Sequence, residues 1–186
     1  MKKVLVMMLF ALLAVSRCFA DNAWVETKYN FQFGIVYYKD NPKDLVSKIK
    51  ALFSKIGNDN VKRIFPINLS DNGIEFSNFN EIEYDVNGEK ICRTYFTRPY
   101  KATDKPICER EHEYVRYFIP KGRSLNRLTQ SHANYMFSQI ASFVRKGQHD
   151  STPYDLVRRR FGQEFLDSIG IQRIDKKKVT LRQLSL

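Results

Sequence analysis

The sequence predicts an α+β fold in which a mainly antiparallel sheet carries about three helices on one face and is held by one disulfide. Three observations lead to this prediction. Apolar and polar residues alternate through much of residues 61–119, with turn signals at regular intervals, as strands do. Three other segments space their apolar residues three or four apart, as amphipathic helices do. Two cysteines follow a predicted export signal, which favours a disulfide.

The first twenty residues have the three parts of a cleaved secretory signal peptide. Two lysines follow the initial methionine, residues 4–15 form an apolar run, and small side chains at Cys18 and Ala20 mark a cleavage site. An uncleaved membrane anchor and a lipoprotein signal are the alternatives. The apolar run is shorter than the roughly 17–25 residues that a membrane span needs. The bulky Arg17 stands directly before Cys18, where a lipoprotein signal usually has a small residue. We therefore expect residues 1–20 to be removed.

The chain that follows the signal has the size of one domain. Removing 20 of the 186 residues leaves 166, which is enough to bury a core. We expect a single α+β domain over residues 21–186, beginning at Asp21 and without a transmembrane segment. The double-lysine start and the short apolar core are typical of a bacterial signal, so the expected location is the periplasm or the secreted fraction.

Caps and apolar stripes predict three helices, over residues 41–57, 124–147 and 152–170. An alternating segment, Tyr29–Tyr38, predicts a strand before the first helix. After the third helix, residues 174–186 are expected to form either a last strand or an extended basic tail.

The remaining strands are predicted around a hairpin. The pair Asn87-Gly88 is typical of a two-residue type I′ turn, because both central positions of that turn need positive φ. This turn pairs Tyr84 with Ile91 and places Val86 on the same side as both. The next predicted strand is Ile107–Ile119.

Cys92 and Cys108 are the two cysteines that remain after signal removal. The hairpin arrangement places them opposite each other on neighbouring strands, where opposed Cα atoms lie about 4.5–5.5 Å apart, within disulfide reach. Such a bridge stabilises a fold by roughly 3 kcal/mol. A catalytic thiol or a redox pair is the alternative, but no Cys-x-x-Cys motif is present. We therefore predict a structural disulfide.

Positive charge is concentrated in the C-terminal part of the chain. Residues 21–115 hold 14 basic and 15 acidic side chains, whereas residues 116–186 hold 14 basic and 5 acidic. This asymmetry indicates an anionic partner: an acidic protein, an envelope polymer, lipid head groups or extracellular nucleic acid. The alternative is a solvated helix face, because three successive arginines span about 200° of a helix. The residues predicted to bind the partner are Arg158, Arg159, Arg160, Lys176, Lys177, Lys178 and Arg182.

No catalytic, metal-binding or cofactor-binding motif is recognisable. On a strand, Glu111 and His112 would face opposite sides, which argues against an acid–base pair at this segment. His132 falls on the apolar stripe of the second predicted helix, a position typical of a core histidine. If an active site is assembled from residues far apart in the sequence, His112, Glu111 and His132 are its candidates. No metal and no cofactor are expected.

These features favour an exported, non-enzymatic binding or accessory protein that acts through its basic C-terminal half. A secretion or pilus accessory protein, a virulence factor and an immunity-type inhibitor of an envelope toxin all fit. The alternative function is a small exported hydrolase, such as a nuclease.

Overall fold

The computed structural model describes residues 4–9, 30–38, 42–70, 77–96, 113–145 and 151–185. Its strands form two separate pairs. β1 (Val4–Leu9) and β2 (Phe33–Tyr38) are antiparallel. β3 (Ile67–Ser70) and β4 (Arg93–Phe96) are parallel.

Helices account for most of the regular structure in these residues. They are α1 (Pro42–Ile56), α2 (Asn58–Ile64), α3 (Gln130–Ser142), α4 (Pro153–Phe161) and α5 (Gln163–Ser168). A 3-10 helix, Phe79–Glu83, precedes β4, and residues 113–118 are also helical. None of the helices found in the described part of the chain is long and apolar enough to cross a membrane.

The first predicted helix is confirmed as α1. Its first residue is Pro42, whose missing N–H is not needed in the first turn. The helix ends before Gly57, which has a φ of 86°. Its predicted cap, Asn41, lies outside the described residues. The buried stripe of α1 consists of Leu45, Val46, Ile49, Phe53 and Ile56.

The prediction of a mainly antiparallel sheet is wrong. Val61 and Ile64, at the start of the alternating stretch, are three residues apart and form the buried side of α2. At the other end of that stretch, residues 113–118 are helical and bury Phe118. Short apolar runs fit both the strand and the helix period, so periodicity alone misassigned both segments. The second two-stranded pair is parallel, which the hairpin-based prediction did not allow.

The predicted disulfide is also wrong, because Cys92 is a free thiol. It is 4% exposed, and its Sγ donates to the carbonyl oxygen of Ile82 at 3.3 Å. Burial raises the pKa of Cys92 to about 11, so the thiol is protonated at neutral pH and is a poor nucleophile. The alternative of a reactive thiol at Cys92 therefore finds no support either. Cys108 lies outside the described residues.

The chain reverses near Asn87 as predicted, but the register differs by one residue. A β-bridge joins Tyr84 to Lys90, whereas the predicted two-residue turn would pair Tyr84 with Ile91. Gly88 has a φ of 78°, the left-handed conformation found in longer hairpin loops. Because a shift of one residue exchanges the faces of a strand, Tyr84 is 45% exposed and does not share a side with the buried Ile91.

β2 lies in the core, and side chains of two helices occupy one of its edges. The N–H of Val36 donates to Gln130 Oε1 at 2.9 Å, and Gln130 Nε2 donates to the Gly34 carbonyl oxygen at 2.8 Å. Lys48 Nζ donates to the Val36 carbonyl oxygen at 3.1 Å. These side chains take the place of a third strand, so the backbone groups at that edge are satisfied.

Residues 171–185 form an extended segment along α3, which we call the C-terminal strap. Backbone N–H groups of Gln172 and Ile174 donate to the hydroxyl oxygens of Ser138 and Ser142, each at 2.9 Å. After a turn at residues 175–178, the N–H of Thr180 donates to Gln139 Oε1 at 2.9 Å. The strap is therefore bound to α3, and residues 171–185 contain no strand.

The far end of the strap enters the core. The N–H of Leu184 donates to the Phe118 carbonyl oxygen at 3.0 Å, and the Leu184 side chain is 8% exposed. Leu181 is partly buried against the same core. The strap thus connects α3 to the helical segment 113–118.

Leu184→Ala should lower the free energy of unfolding by about 2 kcal/mol, because it removes buried apolar surface and leaves a cavity. Urea unfolding followed by circular dichroism measures this change. Ser185→Ala, at the exposed neighbouring position, is the control and should leave stability unchanged. Equal stability of both variants would contradict the docking of the strap.

Candidate anion-binding surface

α4 presents three predicted binding residues at its last turn. The helix begins after Thr152, as predicted, and the Thr152 hydroxyl accepts a hydrogen bond from the Asp155 N–H at 3.1 Å. Its buried side consists of Tyr154, Val157 and Phe161. Arg158, Arg159 and Arg160 are all exposed, and at the C-terminus of a helix their charge complements the helix dipole.

The third predicted helix is in fact two helices, because Gly162 interrupts it. Gly162 has a φ of 89°, so the chain changes direction between α4 and α5. Tyr154 Oη and Gln163 Oε1 lie 3.1 Å apart across this break and are hydrogen-bonded. The break makes the three arginines part of a helix end rather than of a helix interior.

A fourth arginine, which the sequence analysis missed, joins this helix end. Arg63 of α2 lies over the Phe161 ring with its Cζ 5.8 Å from the ring centre, and Arg160 lies over the same ring at 5.7 Å. Both distances allow a cation–π interaction. Arg63 belongs to the part of the chain with almost balanced charge, so no sequence signal marked it. We call Arg63, Arg158, Arg159 and Arg160 the arginine cluster.

The three lysines of the predicted surface occupy the turn of the C-terminal strap. Asp175 caps this turn: its Oδ1 accepts a hydrogen bond from the Lys177 N–H, and its carbonyl oxygen accepts one from the Lys178 N–H, both at 2.8 Å. Lys176, Lys177 and Lys178 are exposed, and so is Arg182 farther along the strap. We call Lys176, Lys177 and Lys178 the lysine turn.

An ion pair attaches the strap to the first turn of α4. Arg173 Nε lies 3.0 Å from Asp155 Oδ1. Burial alone raises the pKa of Asp155, but the hydrogen bonds from Arg173 and Thr152 outweigh that effect and hold the pKa below its ordinary value. The strap therefore reaches α4 at its first turn, whereas the arginine cluster lies at its last turn. The structure presents six of the seven predicted binding residues as two patches, and Arg182 lies farther along the strap.

Four basic side chains outside the predicted binding surface are paired with carboxylates. Lys48, Lys62, Lys90 and Arg173 each pair with a carboxylate. Among the residues that the structure describes, no ion pair involves Arg158, Arg159, Lys177, Lys178 or Arg182. Their charge is therefore not neutralised by a neighbouring side chain and is available to an external anion.

His132 has a structural role at the start of α3. The Thr129 N–H donates to His132 Nδ1 at 3.3 Å, and the His132 N–H donates to the Thr129 hydroxyl at 3.2 Å. This reciprocal pair is a capping box, with histidine in the place usually taken by glutamate or glutamine. The other two catalytic candidates, His112 and Glu111, lie outside the described residues. Within the described ranges, no three His, Cys, Asp or Glu side chains are grouped so that they could hold a metal ion.

A cavity of about 660 Å³ lies beside β2, between α1 and the start of α3. The charged side chains among its described lining residues are Lys48 and Lys55. Gln130 and Lys48 are already bonded to the edge of β2, and Gln130 Nε2 also donates to Asn134 Oδ1 at 2.8 Å. These polar side chains of the cavity wall thus take part in bonds that hold the fold together.

Comparison with known proteins gives one distant similarity. No family model and no solved structure matches the chain. The transposase for insertion sequence element IS4351 of Bacteroides fragilis is 24% identical over 103 residues. The match covers 55% of this chain and 30% of the transposase, so the chain spans less than a third of that protein. A similarity of this extent does not show a family.

His132→Glu should keep the stability of the protein, because glutamate completes the same capping box. His132→Ala removes the acceptor for the Thr129 N–H and should lower the free energy of unfolding by about 1 kcal/mol. Urea unfolding of the two variants beside the parent chain tests this. An equal loss in both variants would contradict the capping role of His132.

Proposed function

We propose that this chain is an exported, non-enzymatic binding protein that holds a polyanion at the basic surface of its C-terminal half. The observation that carries the proposal is that five of the predicted binding residues are exposed and form no ion pair within the described residues: Arg158, Arg159, Lys177, Lys178 and Arg182. Unpaired positive charge attracts an extended anion and speeds its association.

The arrangement of the two patches suits a chain-like anion. The lysine turn and the arginine cluster are fixed with respect to each other by the Arg173 and Asp155 ion pair and by α4. A polymer that carries a charge at every repeat can contact both patches at once. Each phosphate or sulfate contact releases counterions, so the affinity for such a partner should fall steeply with salt.

Export is the second part of the proposal and rests on residues 1–20. β1 lies within this segment and pairs with β2. The opposite edge of β2 is held by Gln130 and Lys48, and Phe33 packs against Phe65 with ring centres 6.2 Å apart. These contacts do not involve β1, so removal of the signal leaves them in place.

An enzyme that acts on nucleic acid is the second candidate function. The transposase similarity is the observation that favours it. Metal-dependent cleavage of a DNA substrate by the purified protein would support this candidate and contradict the non-enzymatic proposal.

The triple variant Arg158→Gln, Arg159→Gln, Arg160→Gln should elute from heparin at lower salt than the parent protein. If the three arginines contact sulfates, the slope of log affinity against log salt should fall by about 2–3, since each lost contact removes about 0.7–0.9. Heparin chromatography and titration at several salt concentrations measure both quantities.

A matched control removes the same charge from another surface. Lys43, Lys50 and Lys55 are exposed on α1, and their replacement by glutamine should leave heparin affinity close to that of the parent. Equal losses in the two triple variants would show that net charge alone matters and would contradict a defined surface. No retention of the parent protein would overturn the proposal.

Expression of the full chain in a bacterium should yield a protein that begins at Asp21 and lies in the periplasmic or secreted fraction. Leu12→Arg interrupts the apolar run of the signal and should leave the uncleaved chain in the cell. Intact-mass measurement of each fraction checks both expectations. An intact N-terminus on all the protein, retained in the cytoplasm, would contradict export.

A further inference from the structure

Two tyrosines are exposed although the residue that follows each of them in sequence is fully buried. Tyr117 is 58% exposed and Tyr135 is 48% exposed, whereas Phe118 and Met136 are 0% exposed. The buried neighbours fix the two helices in the core, so the tyrosine rings stand on rigid elements and face solvent. Tyrosine is enriched at interfaces, because its ring offers an apolar face and its hydroxyl a polar end.

The C-terminal strap carries an arginine between two attachment points, each within one helical turn of one of the tyrosines. Thr180 is bound to Gln139, which lies one helical turn after Tyr135, and Leu184 is bound to Phe118, the residue after Tyr117. Arg182 is two residues from each of these anchors, and two extended residues span about 7 Å. Its side chain is exposed between the two attachment points.

The helical segment 113–118 is held firmly enough to serve as a platform. The Arg145 guanidinium lies over the Tyr114 ring with Cζ 3.6 Å from the ring centre, and the Tyr114 and Phe143 ring centres are 5.9 Å apart. Arg145 is only 6% exposed. The segment is therefore attached to the end of α3 at Tyr114 and to the strap at Phe118. Arg116 is exposed between these two contacts.

We infer that Arg116, Tyr117, Tyr135 and Arg182, which we call the aromatic–basic surface, bind single-stranded nucleic acid. The tyrosine rings stack on unpaired bases, and the guanidinium groups contact the phosphates between them. This inference rests on the proposed polyanion binding and adds the class of partner. Unpaired bases distinguish a single strand from the other candidate anions. Heparin and lipid head groups carry charge but no aromatic face, and a duplex keeps the faces of its bases stacked on each other.

The test compares a single-stranded oligothymidine of about 12 nucleotides, a length within the usual site size, with heparin. The full chain is titrated with the fluorescein-labelled oligonucleotide, and anisotropy reports binding. The double variant Tyr117→Ala, Tyr135→Ala should bind the oligonucleotide at least tenfold more weakly, because each lost stack reduces affinity by about 5- to 150-fold. Its retention on heparin should not change.

Conservative variants separate stacking from other roles of the tyrosines. Tyr117→Phe with Tyr135→Phe keeps both rings and should retain the affinity for the oligonucleotide. Arg182→Gln should lower that affinity and reduce the salt slope by about 0.7. Should the alanine variant lose its helical circular dichroism signal, the single variants Tyr117→Leu and Tyr135→Leu replace it, and each should bind the oligonucleotide at least about fivefold more weakly.

The results that overturn the inference differ from those that overturn the proposed function. Unchanged oligonucleotide affinity in the alanine or leucine variants overturns base stacking, and so does a loss in the phenylalanine variant equal to that in the alanine variant. Heparin binding that still depends on the arginine cluster would then leave the polyanion proposal standing. A parent protein that binds neither oligonucleotide nor heparin overturns both.

Discussion

The hydrogen bonds between α3 and the C-terminal strap are the interaction on which the rest of the structure depends. α3 buries Ser138, Gln139 and Ser142 in its second half, and a buried polar group without a partner costs about 1–3 kcal/mol. The strap supplies an N–H for each of these side chains. In return, α3 satisfies backbone groups of a segment that has no neighbouring strand. Because both sets of polar groups are hydrogen-bonded, the strap can cover α3 without forming a strand.

The hydrogen bonds between the strap and α3 also position part of the proposed binding surface. The strap carries the lysine turn and Arg182, so the bonds that complete the core also hold these charges in place. Arg173 forms an ion pair with Asp155 at the first turn of α4. This ion pair holds the strap against the helix that carries the arginine cluster. Arg173 thus holds two elements together through its ion pair, whereas the lysine turn and the arginines at the end of α4 stay exposed.

The starts of two helices were predicted correctly from the sequence, because they depend on neighbouring residues only. Pro42 and Thr152 mark the starts of α1 and α4 correctly, because caps depend on residues within one turn. The sheet was not predictable in this way, because the parallel pairing of β3 with β4 joins segments about 25 residues apart in sequence. Arg63 joins the candidate surface only through the Phe161 ring, a contact that no pattern in α2 indicates. His132 matched an apolar stripe, yet Thr129 three residues earlier makes it a cap.

Residues 1–20 are the proposed signal peptide, but they also contain β1, which pairs with β2. In the full chain β1 occupies one edge of β2, and Gln130 with Lys48 occupies the other. Phe33, Ile35 and Tyr37 direct their backbone groups toward β1, since alternate residues of a strand bond to opposite edges. Proposed cleavage before Asp21 would remove β1 and return these groups to water or to another strand. In the full chain the side chains of Phe33, Ile35 and Tyr37 are buried in the core, and Gln130 and Lys48 hold the edge of β2 that does not pair with β1.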